Sequence, residues 1–464
     1  MSPQQETEMF SLIVTRRRGS ELLCLAHGPD YELPSTEIPQ WERVADQINH
    51  AVKERWNLDA YSLSTYYGDP SSESPSIAGF QVMECLRTND PPPAGACWVP
   101  LSSLTNRAFH DPTIFRQIHD ALRKIVIPFP CERPDPFAKF GWLAEVCDWI
   151  QEQASPSDLR LTGGFQQWTA TSTFSLIRFE TNGPALWFKA VGEPNLHEFA
   201  IVAALCELLP SFLPPLLASR PDWNAWLMTE AKGASPDDRS DTATWKAIAK
   251  QLAQLQIASL DKKDRLLAAG CRRIDSESLL RCADDFFVSM DELMKRQTKP
   301  SPAALSSIEL ACLSCTLKEV LATMDADGIP STLNHLDFNP GNILVSDERC
   351  VFLDWAEAAV GHPFFTFEYL SEHFRRARPE NAIQQVELAS PYESEWRQIV
   401  PAAAVAQAFS LAPLAAVFAY AASNGVWRDP ARMDEPRTQA YFRSLTRRMK
   451  READALEERS LRCA

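Results

Sequence analysis

Apolar positions alternate with polar ones through the first hundred residues, and later settle into three- and four-residue spacing. Phe10-Ser-Leu-Ile-Val-Thr15 and Glu21-Leu-Leu-Cys-Leu-Ala26 read as two strands around an Arg16–Ser20 turn. Val44, Ile48 and Val52 share one face of a helix expected near Trp41 to Trp56. Ile77–Cys85 and Cys97–Pro100 read as further strands, and a helix is expected from about Thr113 to Ile125. Four prolines between Ile127 and Pro136 disfavour helix and favour an extended connector.

Beyond that connector, Trp142, Leu143, Val146, Trp149 and Ile150 mark one side of a helix over about 139–154. Leu161–Trp168, Ser172–Glu180 and Leu186–Val191 read as three successive strands, and Trp226–Ala231 as an edge strand leading into a hinge. From Asp241 the pattern is helical. Trp245, Ile248, Leu252 and Leu255 make one apolar face, and Ser276–Leu293 and Ser307–Met324 make others. Two short apolar runs, Ile343–Val345 and Val351–Leu353, flank a Ser346–Arg349 turn. Tail helices are expected over Pro401–Ala422 and Gln439–Glu458.

That late hairpin carries the chemistry. Thr332-Leu-Asn-His-Leu-Asp-Phe-Asn-Pro-Gly-Asn-Ile-Leu-Val345 precedes it, and Val351-Phe-Leu-Asp-Trp-Ala-Glu357 completes it. The pattern brings Asp337, Asn342 and Asp354 to one end of a small sheet. One carboxylate there can accept a hydroxyl proton, while an amide oxygen and a second carboxylate supply hard oxygen ligands for Mg²⁺. Upstream, Lys189 sits mid-strand among apolar neighbours, an expensive place for a cation without an anionic partner. Glu198 opens the next helix, ahead of Ile201, Leu205 and Leu208. Taken singly, each of these residues reads as an ordinary turn, cap or solvated-face residue; it is the set in this order that points to phosphoryl transfer.

His-Leu-Asp-Phe-Asn-Pro-Gly-Asn-Ile-Leu (335–344) with Leu-Asp-Trp-Ala-Glu-Ala-Ala-Val-Gly-His-Pro-Phe-Phe (353–365) resembles the aminoglycoside phosphotransferase family, the small-molecule branch of the protein-kinase-like fold. Two positions depart from the family pattern: Leu336 where Gly is usual, and Asn339 where His is frequent. The resemblance implies an α+β, two-lobe phosphotransferase domain that moves the γ-phosphate of ATP or GTP to a small-molecule hydroxyl. On that reading Asp337 is the base, His335 props its loop, and Asn342 both serves the loop and joins Asp354 and Glu357 around Mg²⁺. Lys189, held by Glu198, meets the α- and β-phosphates, and Thr229, Glu230 and Ala231 offer main-chain groups to the base of the nucleotide. Glu368, Glu372 and His373 are candidates for lining the acceptor pocket. The phosphate-covering turn lacks a full glycine pattern, and Thr169, Thr171, Ser172 and Thr173 stand in its place.

The order of strands and helix in the first unit, with Tyr31-Glu-Leu-Pro34 and Trp98-Val-Pro-Leu101, resembles a small α/β Nudix hydrolase domain. In that family the metal-binding helix carries several glutamates. Here Glu54 alone remains in His50–Leu58, with Ala51 and Arg55 in glutamate positions, so hydrolysis is not expected. The expected organisation is a Nudix-like domain over 1–126, a linker over 127–137, a nucleotide-binding lobe over 138–231 and a helical catalytic and acceptor lobe over 232–464. The alternative is a nucleotide-sensing two-domain protein whose kinase-like part binds nucleotide but barely turns it over.

Composition adds exclusions. A net charge of −15 argues against nucleic-acid binding, which needs a basic footprint. The twelve cysteines lie in apolar surroundings, and the Cys312-x-x-Cys315 pair lacks a second pair at zinc spacing, so core packing is expected there. No apolar run is expected to reach the roughly 18 residues of a membrane span, and no secretory signal is read at Met1–Glu8; the expected location is the cytoplasm, with no membrane partner.

Overall fold

Alternating segments at the N-terminus form a mixed sheet in this computed structural model, which describes residues 7–39, 43–67, 79–126, 136–236, 241–377 and 382–463. Its elements are β1 (Thr7–Arg16), β2 (Glu21–His27), β3 (Asp30–Glu32), β4 (Ser35–Pro39), α1 (Val44–Trp56), β5 (Ala60–Tyr66), β6 (Gly79–Cys85), β7 (Ala96–Pro100) and α2 (Pro112–Val126). The strand order is β3-β2-β1-β6-β5, with β4 added on β1 and β7 on β2. β1 runs parallel to β6, and the other pairs are antiparallel. Successive side chains of a strand point to opposite faces. Phe10, Leu12 and Val14 accordingly meet Ile48 and Val52 of α1, while Ile13 joins Ile118 and Leu122 of α2 in a separate cluster.

A second, antiparallel sheet follows α3 (Trp142–Ala154). It contains β8 (Leu161–Ala170), β9 (Ser175–Thr181) and β10 (Leu186–Ala190); then, after α4 (His197–Leu208), β11 (Leu216–Arg220) and β12 (Ala225–Thr229). The order β11-β12-β10-β9-β8 places β12 inside the sheet. The edge-strand expectation for Trp226–Ala231 is thus corrected, because β11 covers that edge.

The chain divides into two compact units, Met1–Phe199 with Pro215–Glu230, and Ala200–Pro214 with Ala231–Ala464. In the first, one apolar cluster runs from Ile13, Tyr61 and Val82 of the N-terminal sheet through Trp142 and Val146 of α3 to Ile177, Phe188 and Leu227 of the second sheet. Residues 127–135 of the expected linker lie outside the described residues. Phe137, just after them, is fully buried among the rings of Trp142, Phe188 and Trp223.

The second unit is mainly helical: α5 (Thr242–Ala258), α6 (Lys263–Ala268), β13 (Arg272–Ile274), α7 (Ser276–Lys295), α8 (Ser307–Ala326), β14 (Thr332–His335), β15 (Ile343–Val345), β16 (Cys350–Phe352), β17 (Ala358–Gly361), α9 (Phe364–Ala377), α10 (Ala382–Trp396), α11 (Ala402–Ser423), α12 (Pro430–Met433) and α13 (Pro436–Cys463). Side-chain caps start several helices: Asp241 accepts from the Thr244 N–H, Asp275 from the Ser278 N–H, and Ser306 with Glu309 closes a capping box. β17 pairs with β13 and β14 in one small sheet, and β15 with β16 in another.

Two composition-based expectations are corrected here. α11 is long and apolar enough to cross a membrane by length and composition. Leu414, Val417 and Phe418 are among its buried residues, the helix packs against α8, α9 and α13, and Phe418 meets the rings of Phe286 and Phe287 on α7, as in a core helix. Cys312 and Cys315 lie exposed on α8 rather than in the core, because positions three apart share one helix face and here that face is outward.

Candidate active site

β14 ends at His335 and hands the chain into a loop built around that ring. His335 is buried, its Nε2 lies 2.8 Å from the Leu353 carbonyl, and its Nδ1 lies 3.3 Å from the Asp337 N–H. These two contacts select one tautomer, with the proton on Nε2 and Nδ1 accepting. Burial holds its pKa below the usual 6.5, so the ring is neutral. Trp355 packs against it with ring centroids 4.7 Å apart, and the His335 N–H donates to Thr366 Oγ1 of α9. A neutral ring thus bridges the loop after β14 and the residue that follows β16.

Asp337 is fixed by two amides. Asn339 Nδ2 donates to its Oδ1 at 3.0 Å, and Asn342 Nδ2 donates to its Oδ2 at 3.1 Å and to its carbonyl at 2.9 Å. Asn339, the departure from the family pattern, also accepts the Gly341 N–H and so starts the turn that carries Asn342. Leu336, the other departure, is a buried apolar residue whose N–H donates to the Glu357 carbonyl.

Asp354 follows β16 with φ 61° and ψ 73°, the left-handed region that a non-glycine residue adopts at a cost. The Leu353 N–H donates to the Asn342 carbonyl at 2.8 Å, so the backbone brings Asn342 and Asp354 to the same end of the β15–β16 hairpin. Among the described residues, no group of three or more His, Cys, Asp or Glu is arranged to hold a metal. One amide oxygen and one carboxylate suit Mg²⁺, which keeps several waters and takes phosphate oxygens rather than a full protein cage. Glu357, expected beside them, takes both terminal guanidinium nitrogens of Arg272. That fork occupies both carboxylate oxygens.

The segment after Ala231 is sewn to the same hairpin. Ala234 and Val345 exchange main-chain hydrogen bonds of 3.0 and 2.9 Å. Gly233 precedes this contact at φ 132°, where an added Cβ would fall 2.7 Å from the Val345 carbonyl oxygen. Only glycine fits that approach.

In the first unit, Lys189 Nζ reaches Glu198 Oε1 at 2.6 Å, with the glutamate side chain 1% exposed. The ammonium also lies 5.5 Å from the Trp226 ring centroid, so an anionic and an aromatic partner offset its burial. Thr229 and Glu230 donate their N–H groups to the Pro215 and Ala185 carbonyls, and the Glu230 carboxylate binds Arg178 and Trp187. The β8–β9 hairpin turns at Thr171–Phe174, with the Thr171 hydroxyl accepting the Phe174 N–H at 2.8 Å.

Sequence reading missed what steadies that hairpin. Gln167 of β8 is buried, accepts from Ser62 N–H and Asn49 Nδ2 at 2.9 Å each, and donates to the Ser62 carbonyl at 2.9 Å. Arg43 stacks on Trp168 at 3.5 Å, and Gln166 donates to Asp46. The N-terminal sheet and α1 thus grip the strand that leads into the threonine-rich turn.

A cavity of about 270 Å³ opens beside Asp337, walled by α9, α11 and α13. Glu368, Glu372 and His373 line it, as the sequence suggested, together with Tyr369, Tyr420, Tyr441 and Arg448, which it did not single out. The spacing of 369, 372, 373 and 376 on α9, and of 441, 445 and 448 on α13, was the available signal.

Residues 196–399 match the model of the phosphotransferase enzyme family (APH). No curated protein sequence matches the chain. Among solved structures, the chain is similar to a macrolide 2'-phosphotransferase of Brachybacterium faecium, at 18% identity and TM-score 0.42, covering 65% of this chain and 98% of that one. It is also similar to a choline kinase of Streptococcus pneumoniae (12% identity, TM-score 0.41, 68% and 99% covered) and a choline kinase of Cryptosporidium parvum (10% identity, TM-score 0.47, 68% and 97% covered). The loop and hairpin from His335 to Glu357 fall within the stretch, residues 196–399, that matches the phosphotransferase enzyme family model.

Proposed function

We propose that this protein transfers the γ-phosphate of ATP or GTP to a hydroxyl of a small molecule. The observation that carries this reading is the Asp337 carboxylate, held by Asn339 and Asn342 and facing a cavity large enough for a small acceptor. Asp337 orients the acceptor hydroxyl and takes its proton, and His335 keeps the loop in place without titrating. Asn342 and Asp354 would hold Mg²⁺, which would supply charge neutralisation at the phosphates. Lys189, oriented by Glu198, binds the α- and β-phosphates. Because Thr229 and Glu230 use their N–H groups within the sheet, main-chain donors to the purine fall at Ala231 and beyond.

The test is calorimetric titration of ATP and GTP with and without Mg²⁺, on the wild type and Lys189→Met. Magnesium-dependent binding that weakens at least about tenfold in the variant supports the reading, a loss of about 1.4 kcal/mol. Binding indifferent to both magnesium and Lys189 overturns the nucleotide assignment.

A further inference from the structure

One buried hydrogen-bond network carries both the helix that walls the cavity and the strand that delivers Asp337. We propose that Thr366 and Asn334 are positioning residues that lock α9 to β14 and so fix the acceptor wall relative to the base. This inference rests on the phosphotransferase reading and adds to it the device that sets that geometry.

Thr366 lies in the first turn of α9, ahead of Glu368, Tyr369, Glu372 and His373, which line the cavity from the same helix. Asn334 lies in β14, directly before His335. Both residues are buried. Thr366 Oγ1 donates to Asn334 Oδ1 at 2.9 Å and accepts the His335 N–H at 3.0 Å. Asn334 Oδ1 also accepts the Thr366 N–H at 3.3 Å, and its Nδ2 donates to the Gly361 carbonyl at 3.0 Å and the Thr332 carbonyl at 3.2 Å. The network thus joins β14, the end of β17 and the start of α9. Helix α5 braces it: Gln256 Nε2 donates to the Pro363 carbonyl at 2.7 Å, and Ser259 Oγ accepts the Leu333 N–H at 2.9 Å. Tyr392 of α10 holds Gln256 in turn, donating to its Oε1 at 2.7 Å.

Packing alone does not call for this chemistry. Valine matches threonine in shape, and a buried hydroxyl or amide is costly unless its bonds are made. What the Thr366 hydroxyl supplies is an acceptor for the His335 N–H, at the point where β14 gives way to the loop that carries Asp337. A methyl group in its place strands that N–H among buried side chains, and the loop shifts to find it a partner. Misplacing a reacting group by about 1 Å can cost on the order of a hundredfold in rate. Because α9 is tied to the same bond, the shift also changes where the wall presents an acceptor. Lys189, Glu198 and the Thr171–Phe174 turn belong to the other compact unit, so nucleotide affinity is expected to stay near that of the wild type.

The test compares Thr366→Val, which keeps the shape and removes the hydroxyl, with Thr366→Ser, which keeps the hydroxyl. Three quantities are read in the full chain: hydrogen exchange of the His335 amide, phosphoryl transfer from magnesium ATP to water as the probe acceptor, and ATP affinity by calorimetry. In Thr366→Val the His335 amide is expected to exchange at least about tenfold faster than in the wild type. Its kcat is expected to fall at least about tenfold with the Kd for ATP within about twofold, and Thr366→Ser to stay within about threefold of the wild type in all three. A lower denaturation midpoint in Thr366→Val with kcat unchanged overturns the positioning role, as does an equal loss of kcat in Thr366→Ser. Should Thr366→Val fail to fold, the wild type and Thr366→Ser still decide: a His335 amide that exchanges like an unprotected one in the wild type overturns the lock. A wild type that turns over no ATP counts against the phosphotransferase reading, and the positioning role falls with it; turnover with a fast-exchanging His335 amide overturns the lock alone.

Discussion

Asn342 donates through one nitrogen to both the carbonyl and the carboxylate of Asp337, at 2.9 and 3.1 Å. Those two acceptors fix the orientation of the amide and turn the opposite atom, Oδ1, away from Asp337. Asn342→Asp reverses this relationship by placing a second carboxylate against the first. The expected outcome is loss of turnover together with about 1–3 kcal/mol of stability, read by urea denaturation beside the activity assay. Unchanged stability would mean that the Asn342–Asp337 bond is not formed in solution.

Asp354 separates a chemical role from a backbone one. Its φ of 61° favours glycine over any residue with a Cβ. Asp354→Gly and Asp354→Ala both remove the carboxylate and are expected to abolish turnover. The glycine variant is expected to be more stable than the alanine variant by about 1 kcal/mol. Equal denaturation midpoints would show that the turn relaxes out of the left-handed region.

His335 predicts a pH dependence of stability. Its folded pKa is depressed below 6.5 by burial, so the unfolded chain binds the proton more readily. Between the depressed pKa and 6.5 the unfolded state holds more protons, and stability rises with pH through that window. The slope approaches about 1.4 kcal/mol per pH unit for one such group. Half-buried His373 is shifted in the same direction and adds to the wild-type slope. Denaturation curves across the window should be flatter in His335→Gln than in the wild type. An identical slope would remove His335 as a contributor.

Gln167 links the N-terminal sheet and α1 to strand β8. Truncation to alanine leaves the buried Ser62 main chain without its side-chain partner, at a cost of about 1–3 kcal/mol. It also frees β8 ahead of the Thr171–Phe174 turn. The expected result is lower stability and a several-fold rise in the KM for nucleotide with kcat little changed. A drop in kcat alone would place the effect elsewhere.

The catalytic hairpin was legible because its signal is local. His335, Asp337, Asn342 and Asp354 lie within twenty residues, and the strands between them are short apolar runs. The tail helices followed from periodicity for the same reason, and the α+β class from the family resemblance that those residues carry. What escaped was non-local. Gln167 looks like any polar strand residue until Ser62, more than a hundred positions away, is placed against it. Glu357 lies three residues after Asp354, and its ion-pair partner Arg272, 85 residues upstream, is one that no local pattern announces. The span-length apolar run of α11 was legible in composition and was overlooked; its packing partners in the unit explain its character. Leu216–Arg220 is a five-residue strand with a polar end and gives little local signal, which leaves β12 looking like an edge until β11 is paired with it.

The most direct measurement is magnesium-dependent phosphoryl transfer from ATP and GTP by the purified full chain, offered a pool of hydroxylated small molecules. Asp337→Asn and Asp354→Ala are assayed in parallel. The prediction is transfer to at least one acceptor, reduced by about a thousandfold or more in both variants, with nucleotide binding retained in Asp337→Asn. Nucleotide bound with no transfer to any member of the pool, or transfer that survives in Asp337→Asn, would contradict it.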